Sequence, residues 1–178
     1  MKAIIQIFMT AIGFYVGAQT QQPVKISEFL KDKREPTVAE IFADLVHFRD
    51  SLGLAPVELD PVQCQAAQLQ ADWIAVTGLF QHKQTILTET GIPVLLPNPS
   101  DRGDHVGIVV IAENIHRGWK FLPANIIVNS WAISPDHRAN MVRTPTAGER
   151  LKVGIAITHF KFNPNEIVVV LTIGESTR

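Results

Sequence analysis

The most informative stretch of the sequence is Ser134-Pro135-Asp136-His137-Arg138-Ala139-Asn140-Met141. It is typical of a helix start, because Ser134 can cap, Pro135 fits the first helical position and Asp136 places an acid where the helix dipole favours it. His137 then falls in the first turn, where the helix dipole favours a neutral imidazole that can bind a metal or accept a proton. A histidine that only packs or hydrogen-bonds at a helix end would fit the same position.

Four motifs follow one another along the chain. They are Arg-x-x-x-Gly-Leu from Arg49 to Leu54, Phe-x-His from Phe80 to His82, Ala-Glu-Asn-Ile from Ala112 to Ile115, and Trp-x-x-Ser-Pro-x-His-Arg-x-Asn from Trp131 to Asn140. In this order they resemble the CAP superfamily, the cysteine-rich secretory, antigen-five and pathogenesis-related proteins, in its bacterial SCP-domain form. The resemblance covers roughly residues 37 to 174.

The resemblance implies both a fold and a site. The fold is an α+β protein built as a three-layer α-β-α sandwich, with helices on both faces of a mainly antiparallel sheet. The family places its two motif histidines and its motif glutamate around one shallow cleft, which here means His82, Glu113 and His137, with Ser134 beside them. Two imidazoles and a carboxylate can bind Zn²⁺ or another divalent cation and leave a position open to water.

Three positions depart from the family pattern. Ser134 stands where eukaryotic members often have a second glutamate, Ala112 replaces the usual glycine, and Val46 replaces a common asparagine. The loss of one carboxylate lowers the negative charge of the cleft, so we expect weak metal binding. Arg138 and Asn140 are expected to fix the helix start against the sheet through hydrogen bonds.

The N-terminus has the pattern of a secretory signal peptide. Lys2 precedes an apolar run from Ala3 to Val16, and Gly17 and Ala18 supply the small residues that a signal peptidase reads. The alternative is a membrane anchor, but the run is shorter than the roughly 20 residues that a span requires. We therefore predict a signal peptide over residues 1–18, a secreted or periplasmic protein, and no transmembrane anchor after processing.

Composition and charge exclude some partners. The chain is 46% hydrophobic and 19% charged, which is ordinary for one globular domain. Removal of residues 1–18 takes away one lysine, leaving 15 basic and 17 acidic residues, so nothing attracts nucleic acid. Cys64 is the only cysteine, so no intramolecular disulfide can form and core packing has to hold the fold. Cys64 is predicted to be a small buried helix residue, with a reactive thiol as the alternative.

Local signals predict the helices of a domain over residues 37–178, after a flexible lead-in over residues 19–36. Thr37 and Glu40 form a capping-box pattern at the start of a helix that Gly53 ends. Asp60-Pro61 opens a second helix, which ends near Gly78. A third helix is predicted over Pro123–Ile133, directly before Ser134.

Apolar runs predict the strands, and glycines and prolines predict a loop. The 30 residues before Glu113 contain too many helix breakers for a helix, so we expect a loop there. His116 could reach the cleft, although an exposed histidine at a strand end is the commoner case. The predicted strands are Val106–Ala112, Lys152–Thr158 and Glu166–Ile173, the last two joined across Asn163-Pro164-Asn165.

The sequence supports three hypotheses on function. The leading one is a secreted, non-enzymatic binding or effector module for a small lipid, a sterol or a cell-surface or cell-wall ligand. The second is an exported metal-assisted hydrolase, resembling a peptidase, in which His82 and His137 use a metal-bound water. No Gly-x-Ser-x-Gly or His-Glu-x-x-His motif supports the second. The third treats the histidines as residues that now only stabilise the fold.

Overall fold

The structure is a computed structural model that describes residues 33–146 and 149–175. The predicted signal peptide and residues 19–32 of the lead-in lie outside the described residues. The last residues of the lead-in are within them, and there Glu35 Oε2 lies 3.0 Å from His159 Nε2. None of the helices in the described ranges combines the length and the apolar character needed to span a bilayer.

Helix α1, Val38–Asp50, begins as the capping box predicts. Glu40 N donates to Thr37 Oγ1 at 3.2 Å, and Thr37 N donates back to Glu40 Oε2 at 2.9 Å. Two amides at the helix start are thereby satisfied by side chains rather than by water. Ile41 and Leu45, one turn apart, are buried and attach the helix to the core.

Helix α2, Pro61–Thr77, is also confirmed at both ends. Asp60 Oδ1 accepts from the amides of Val62 and Gln63, each at 2.9 Å, and Gly78 ends the helix with a φ of 73°. Cys64 lies in this helix and is half-buried, with its Sγ 3.5 Å from the amide nitrogen of Ile155.

The main sheet has four strands, which are β1, Glu58–Leu59, β4, Ala112–Trp119, β5, Leu151–Phe160, and β6, Asn163–Glu175. They lie in the order β1-β5-β6-β4. Strand β1 runs parallel to β5, whereas β6 pairs antiparallel with both β5 and β4. The sheet is therefore mixed, with one short parallel pair added to the predicted antiparallel arrangement. Strand β4 lies at one edge, which leaves its outer side available to a site.

Helices cover both faces of the sheet, as expected for three layers. Along β6, Ile167, Val169 and Leu171 contribute to one buried cluster, and Val168 and Val170 contribute to a second cluster on the opposite face. This alternation follows from the two-residue period of a strand. Helix α1 and two later helices pack on the first face, and α2 packs on the second. Those later helices are α4, Ala124–Ile133, and α5, Pro135–Met141.

Helix α2 lies unusually close to the sheet at Gly154. A Cβ atom at Gly154 would lie 2.1 Å from the backbone carbon and oxygen of Gln63, in the first turn of α2. Thr172 Oγ1 donates to the same carbonyl at 3.1 Å. The helix therefore rests on the backbone of β5 and on a hydroxyl of β6, at a distance that a larger residue would not allow.

The loop predicted before Glu113 is wrong, and so is the strand predicted over Val106–Ala112. This region contains an antiparallel hairpin of β2, Gln84–Leu87, and β3, Pro93–Leu96, followed by helix α3, Pro99–Val106. Strand β4 begins only at Ala112, so the Ala-Glu-Asn-Ile motif lies inside a strand rather than after one.

The glycines and prolines of this region delimit its elements instead of preventing them. Gly91 has a φ of 76° in the hairpin turn, and Pro93 is the first residue of β3. Pro99 occupies the first turn of α3, where its missing amide costs nothing, and Gly107 ends that helix with a φ of 78°. The turn between β5 and β6 is also displaced from its predicted place, to residues 161–162.

Candidate functional site

Glu113 is the buried centre of the site. Its side chain is 0% exposed, and its Oε1 atom lies 2.8 Å from His82 Nδ1. Its Oε2 atom forms an ion pair with the guanidinium of Arg102, which is 1% exposed. Both carboxylate oxygens are therefore engaged by protein groups, and Glu113 faces His82 and Arg102 rather than open solvent.

The bond to Glu113 determines which ring nitrogen of His82 is available. A carboxylate only accepts hydrogen bonds, so Nδ1 of His82 carries the proton and donates it. Nε2 is then the free acceptor on a side chain that is 44% exposed. Carboxylate-bound histidines present their second nitrogen to a metal or a ligand in this way.

Buried polar side chains hold the segment that carries His82. Gln70 Nε2, on α2, donates to the carbonyl of Gln81, and Arg102 Nη1 donates to the carbonyl of His82 at 2.7 Å. Gln84 Nε2 donates to the carbonyl of Leu69 at 3.2 Å. The three donor side chains are almost fully buried. His82 thus follows a helix on a segment whose backbone is fixed from both sides.

His137 is positioned by the docking of α5 on β4. Asn114 Nδ2 donates to the carbonyl of His137 at 3.0 Å, and Asn140 Nδ2 donates to Asn114 Oδ1 at 2.9 Å. Asn140 also reaches the carbonyl of Glu113 at 3.3 Å, so its predicted structural role is confirmed. Arg138 instead lies over the ring of Phe48, with its guanidinium carbon 5.3 Å from the ring centroid.

Ser134 occupies the predicted cap position of α5, but its side chain does not make the capping hydrogen bond. Instead Ser134 and His137 line a cavity of about 310 Å³ on the β4 side of α4 and α5. His82 and Glu113 are not among its lining residues. The other residues that line it are Phe80, Ile115, His116, Arg117, Ser130 and Trp131.

The ring of His137 is disposed to stay neutral. Burial lowers the pKa of His137, the positive charge of a protonated His82 lowers it further, and Asp136 opposes both effects. The two predicted site histidines are therefore within electrostatic range of each other. Among residues 33–146 and 149–175, no group of three or more His, Cys, Asp or Glu side chains is arranged to hold a metal ion.

His116 is not the exposed strand-end histidine that the sequence favours. It is half-buried in the cavity wall, edge-on to Trp131 with ring centroids 6.5 Å apart. Its Nδ1 lies 3.0 Å from Ser130 Oγ, which itself donates to the carbonyl of Ile127 at 2.6 Å. Nδ1 therefore carries the proton, and Nε2 is buried with no hydrogen-bond partner among the described residues.

Stability should depend on pH through His116. Burial lowers its pKa, and the charge of His137 lowers it further. The folded protein then binds fewer protons at His116 than the unfolded chain does. The contribution of His116 to the free energy of unfolding is therefore fully present above about pH 6.5 and is lost as the pH falls towards the pKa of the folded state. We expect His116→Asn to flatten the decline in unfolding free energy between pH 7.5 and 5 in urea titrations, by at most about 1.4 kcal/mol per pH unit. Identical slopes in both proteins would contradict this assignment.

Two buried arginines were not predicted as functional or structural centres. Arg102 lies in the region that the sequence indicates as a loop, although Asn98 and Asp101 bracket a helix start, with the amide of Asn98 donating to Asp101 at 2.7 Å. That cap signal would have placed Arg102 in a helix. Arg49, at the end of α1, donates to the carbonyls of Met141 at 2.6 Å and Ala55 at 2.7 Å.

Comparison with known proteins identifies the family and the fold. The family model of the cysteine-rich secretory protein family, CAP, matches residues 44–170. An outer surface protein of Borrelia burgdorferi is similar in structure, with a TM-score of 0.52 and 19% sequence identity over 84% of this chain and 95% of that one. An extracellular SCP-domain protein of Bacillus anthracis has a TM-score of 0.50 and 13% identity, over 75% of this chain and 39% of that one.

The two solved structures support the fold alone at these identities. Comparison with curated proteins gives no significant match. The family model, however, covers well over half of the sequence and includes the motifs that carry His82, Glu113 and His137. The chain therefore belongs to the cysteine-rich secretory protein family, CAP.

Proposed function

We propose that the chain is a secreted CAP-domain binding module, whose site is the cavity beside β4 together with the exposed nitrogen of His82. The observation that carries this proposal is the bond between Glu113 and His82 Nδ1 at 2.8 Å. A half-exposed imidazole that is oriented by a fully buried carboxylate is typical of a histidine that binds a metal or recognises a ligand.

The cavity is suited to an amphipathic ligand. Phe80, Ile115 and Trp131 supply apolar and aromatic surface, while Ser134 and His137 supply polar groups. Its volume of about 310 Å³ is at the lower end of the roughly 300–1,000 Å³ of ligand pockets. It would accept a small molecule, or one end of a lipid or sterol, more readily than a whole large ligand.

A divalent cation such as Zn²⁺ would be held by His82 and His137, with Glu113 behind His82. Both rings are nitrogen ligands of the kind that zinc prefers, and the lowered pKa of His137 leaves its ring free of a competing proton. Glu113 is already bonded to Arg102 and His82, so two imidazoles would carry the binding. With water completing the coordination, affinity would be weak.

Export of the protein is supported by two independent features. The first 18 residues have the pattern of a signal peptide, and the two similar structures are described as an outer surface protein and an extracellular protein. The absence of any disulfide is compatible with that destination because two buried clusters stabilise both faces of the sheet.

A metal-assisted hydrolase is the second candidate, because a cation held by His82 and His137 would supply an activated water beside the cavity that His137 lines. A serine hydrolase is less well supported. Ser130 contacts the ring of His116, but its hydroxyl donates to the carbonyl of Ile127 and accepts from His116. This arrangement is opposite to a base that activates a nucleophile.

Calorimetric titration with Zn²⁺ tests the metal part of the proposal. We expect weak binding in the wild-type protein and at least a tenfold loss in His82→Ala and in His137→Ala, since each variant removes one of two ligands. His47→Ala, an exposed histidine on α1, is the matched control and should bind as the wild type does. No heat of binding in the wild-type protein would remove the metal site.

Ligand-binding and turnover experiments distinguish a carrier from a hydrolase. Trp131 lines the cavity, so binding of a fatty acid, a sterol or soluble cell-wall fragments is expected to change its fluorescence. The variant Trp131→Phe shows how much of the fluorescence change comes from Trp131 and how much from the other two tryptophans. Turnover of a peptide library that is abolished in the His82→Ala, His137→Ala double variant would instead establish the hydrolase.

A further inference from the structure

We infer that Arg102 is the positioning residue of the site: through Glu113 and through the backbone of His82 it fixes the ring tautomer that presents Nε2. This inference deepens the proposed function, and it rests on that function only in taking the free Nε2 of His82 as the atom that binds a ligand or a metal. The fold places Arg102 on α3, in a part of the chain with no motif residue, against a carboxylate on β4.

The charges require such a partner. Glu113 is 0% exposed, and a carboxylate without water has to be compensated by an opposite charge or by hydrogen bonds. Arg102 supplies a full positive charge at one oxygen, and its own side chain is 1% exposed. Because the pair is buried, bulk solvent screens it little. The remaining oxygen of Glu113 is thereby held towards His82 as a charged acceptor.

Arg102 also acts on the second point of attachment. Its Nη1 donates to the carbonyl of His82 at 2.7 Å, while Nη2 bonds Glu113. One planar guanidinium thus fixes both the backbone of His82 and the acceptor of its ring proton, which is the bidentate geometry that lysine cannot reproduce. His82 is 44% exposed, so a ring without these restraints would turn into solvent and sample both tautomers.

Arg49 offers a matched comparison within the same chain. It is as deeply buried as Arg102, but it donates its side-chain hydrogen bonds to the carbonyls of Ala55, Met141 and Arg143 and not to a carboxylate. Substitution of Arg49 should therefore reduce stability without any effect on the ring of His82. A purely structural role for Arg102 would give the same result, and a positioning role would not.

The test reads the tautomer directly, by nitrogen-15 NMR of the histidine rings at pH 8, with His82 assigned through His82→Asn. In the wild-type protein and in Arg49→Lys we expect the proton of His82 on Nδ1. In Arg102→Gln we expect a mixture with a large share on Nε2, and in Arg102→Lys, which keeps the charge, a smaller share. Zinc affinity should fall about 10- to 100-fold in Arg102→Gln.

The outcomes separate the two proposals. If Arg102→Gln folds and keeps the wild-type tautomer of His82, the positioning role of Arg102 is wrong. If Arg102→Gln does not fold, Arg102→Lys decides instead, because an unchanged tautomer in that variant would also contradict the role. If the wild-type protein binds no zinc while the tautomer shifts as expected, the positioning role stands and the metal part of the proposed function fails.

Discussion

Glu113→Ala is expected to lower the free energy of unfolding by about 3–5 kcal/mol. The substitution removes one partner of a buried pair and leaves the guanidinium of Arg102, 1% exposed, without its counter-charge. It also removes the acceptor of His82 Nδ1. A domain of this size has about 5–15 kcal/mol of stability, so the loss is a large fraction of the total.

The matched control is Glu166→Ala. Glu166 is also paired with an arginine, Arg117, at 2.5 Å, but the two side chains are 31% and 44% exposed. Water and salt screen such a pair, so its loss should cost about 1 kcal/mol or less. Urea unfolding of both variants measures the difference. Equal losses would mean that burial of the Glu113 pair has no energetic consequence, which would contradict this prediction.

The elements that the sequence predicts correctly are those with signals inside a few consecutive residues. The capping box at Thr37 and the Asp60-Pro61 start both form their expected hydrogen bonds. Strands β5 and β6 follow their apolar runs, because both faces of a central strand are covered and no alternation is required. Local chemistry is sufficient in these places.

The prediction of a loop between His82 and Glu113 is wrong for a physical reason. Glycine and proline reduce helix and strand propensity within an element, but at its ends they stabilise it. The spacing of Gly91, Pro99 and Gly107 leaves room for a hairpin and an eight-residue helix, and composition alone does not distinguish this from a loop. Helix α3 was therefore not predicted, and Arg102 was not identified as a buried residue of that helix.

The sequence names the candidate site residues, but it does not predict the contacts that these residues make. The motifs name His82, Glu113, Ser134 and His137, and the structure joins the first two and puts the last two in one cavity. That Glu113 turns towards Arg102 depends on where α3 packs against β4, a contact that no local pattern encodes. The burial of His116 likewise depends on which helix covers the edge strand.

Gly154→Ala is expected to destabilise the protein by about 3 kcal/mol or more, the upper end for overpacking. The new Cβ would lie 2.1 Å from backbone atoms of Gln63 and 2.5 Å from the amide nitrogen of Cys64. Backbone in the first turn of a helix cannot rotate away, so α2 would have to shift and lengthen the bond from Thr172 Oγ1 to Gln63.

Gly118→Ala separates this backbone clash from the general effect of removing a strand glycine. Gly118 also lies in a strand without a positive φ, but a Cβ there would meet only side-chain atoms, Leu122 Cδ1 at 2.5 Å and His116 Nε2 at 2.7 Å. Leu122 Cδ1 is the end of a flexible side chain, whereas the ring of His116 is held by Ser130 and would have to shift slightly, so we expect a loss of about 1–2 kcal/mol. Thermal and urea unfolding of the two variants give the comparison. If Gly154→Ala unfolds at the same urea concentration as the wild-type protein, the close contact between α2 and β5 is not a constraint on this fold.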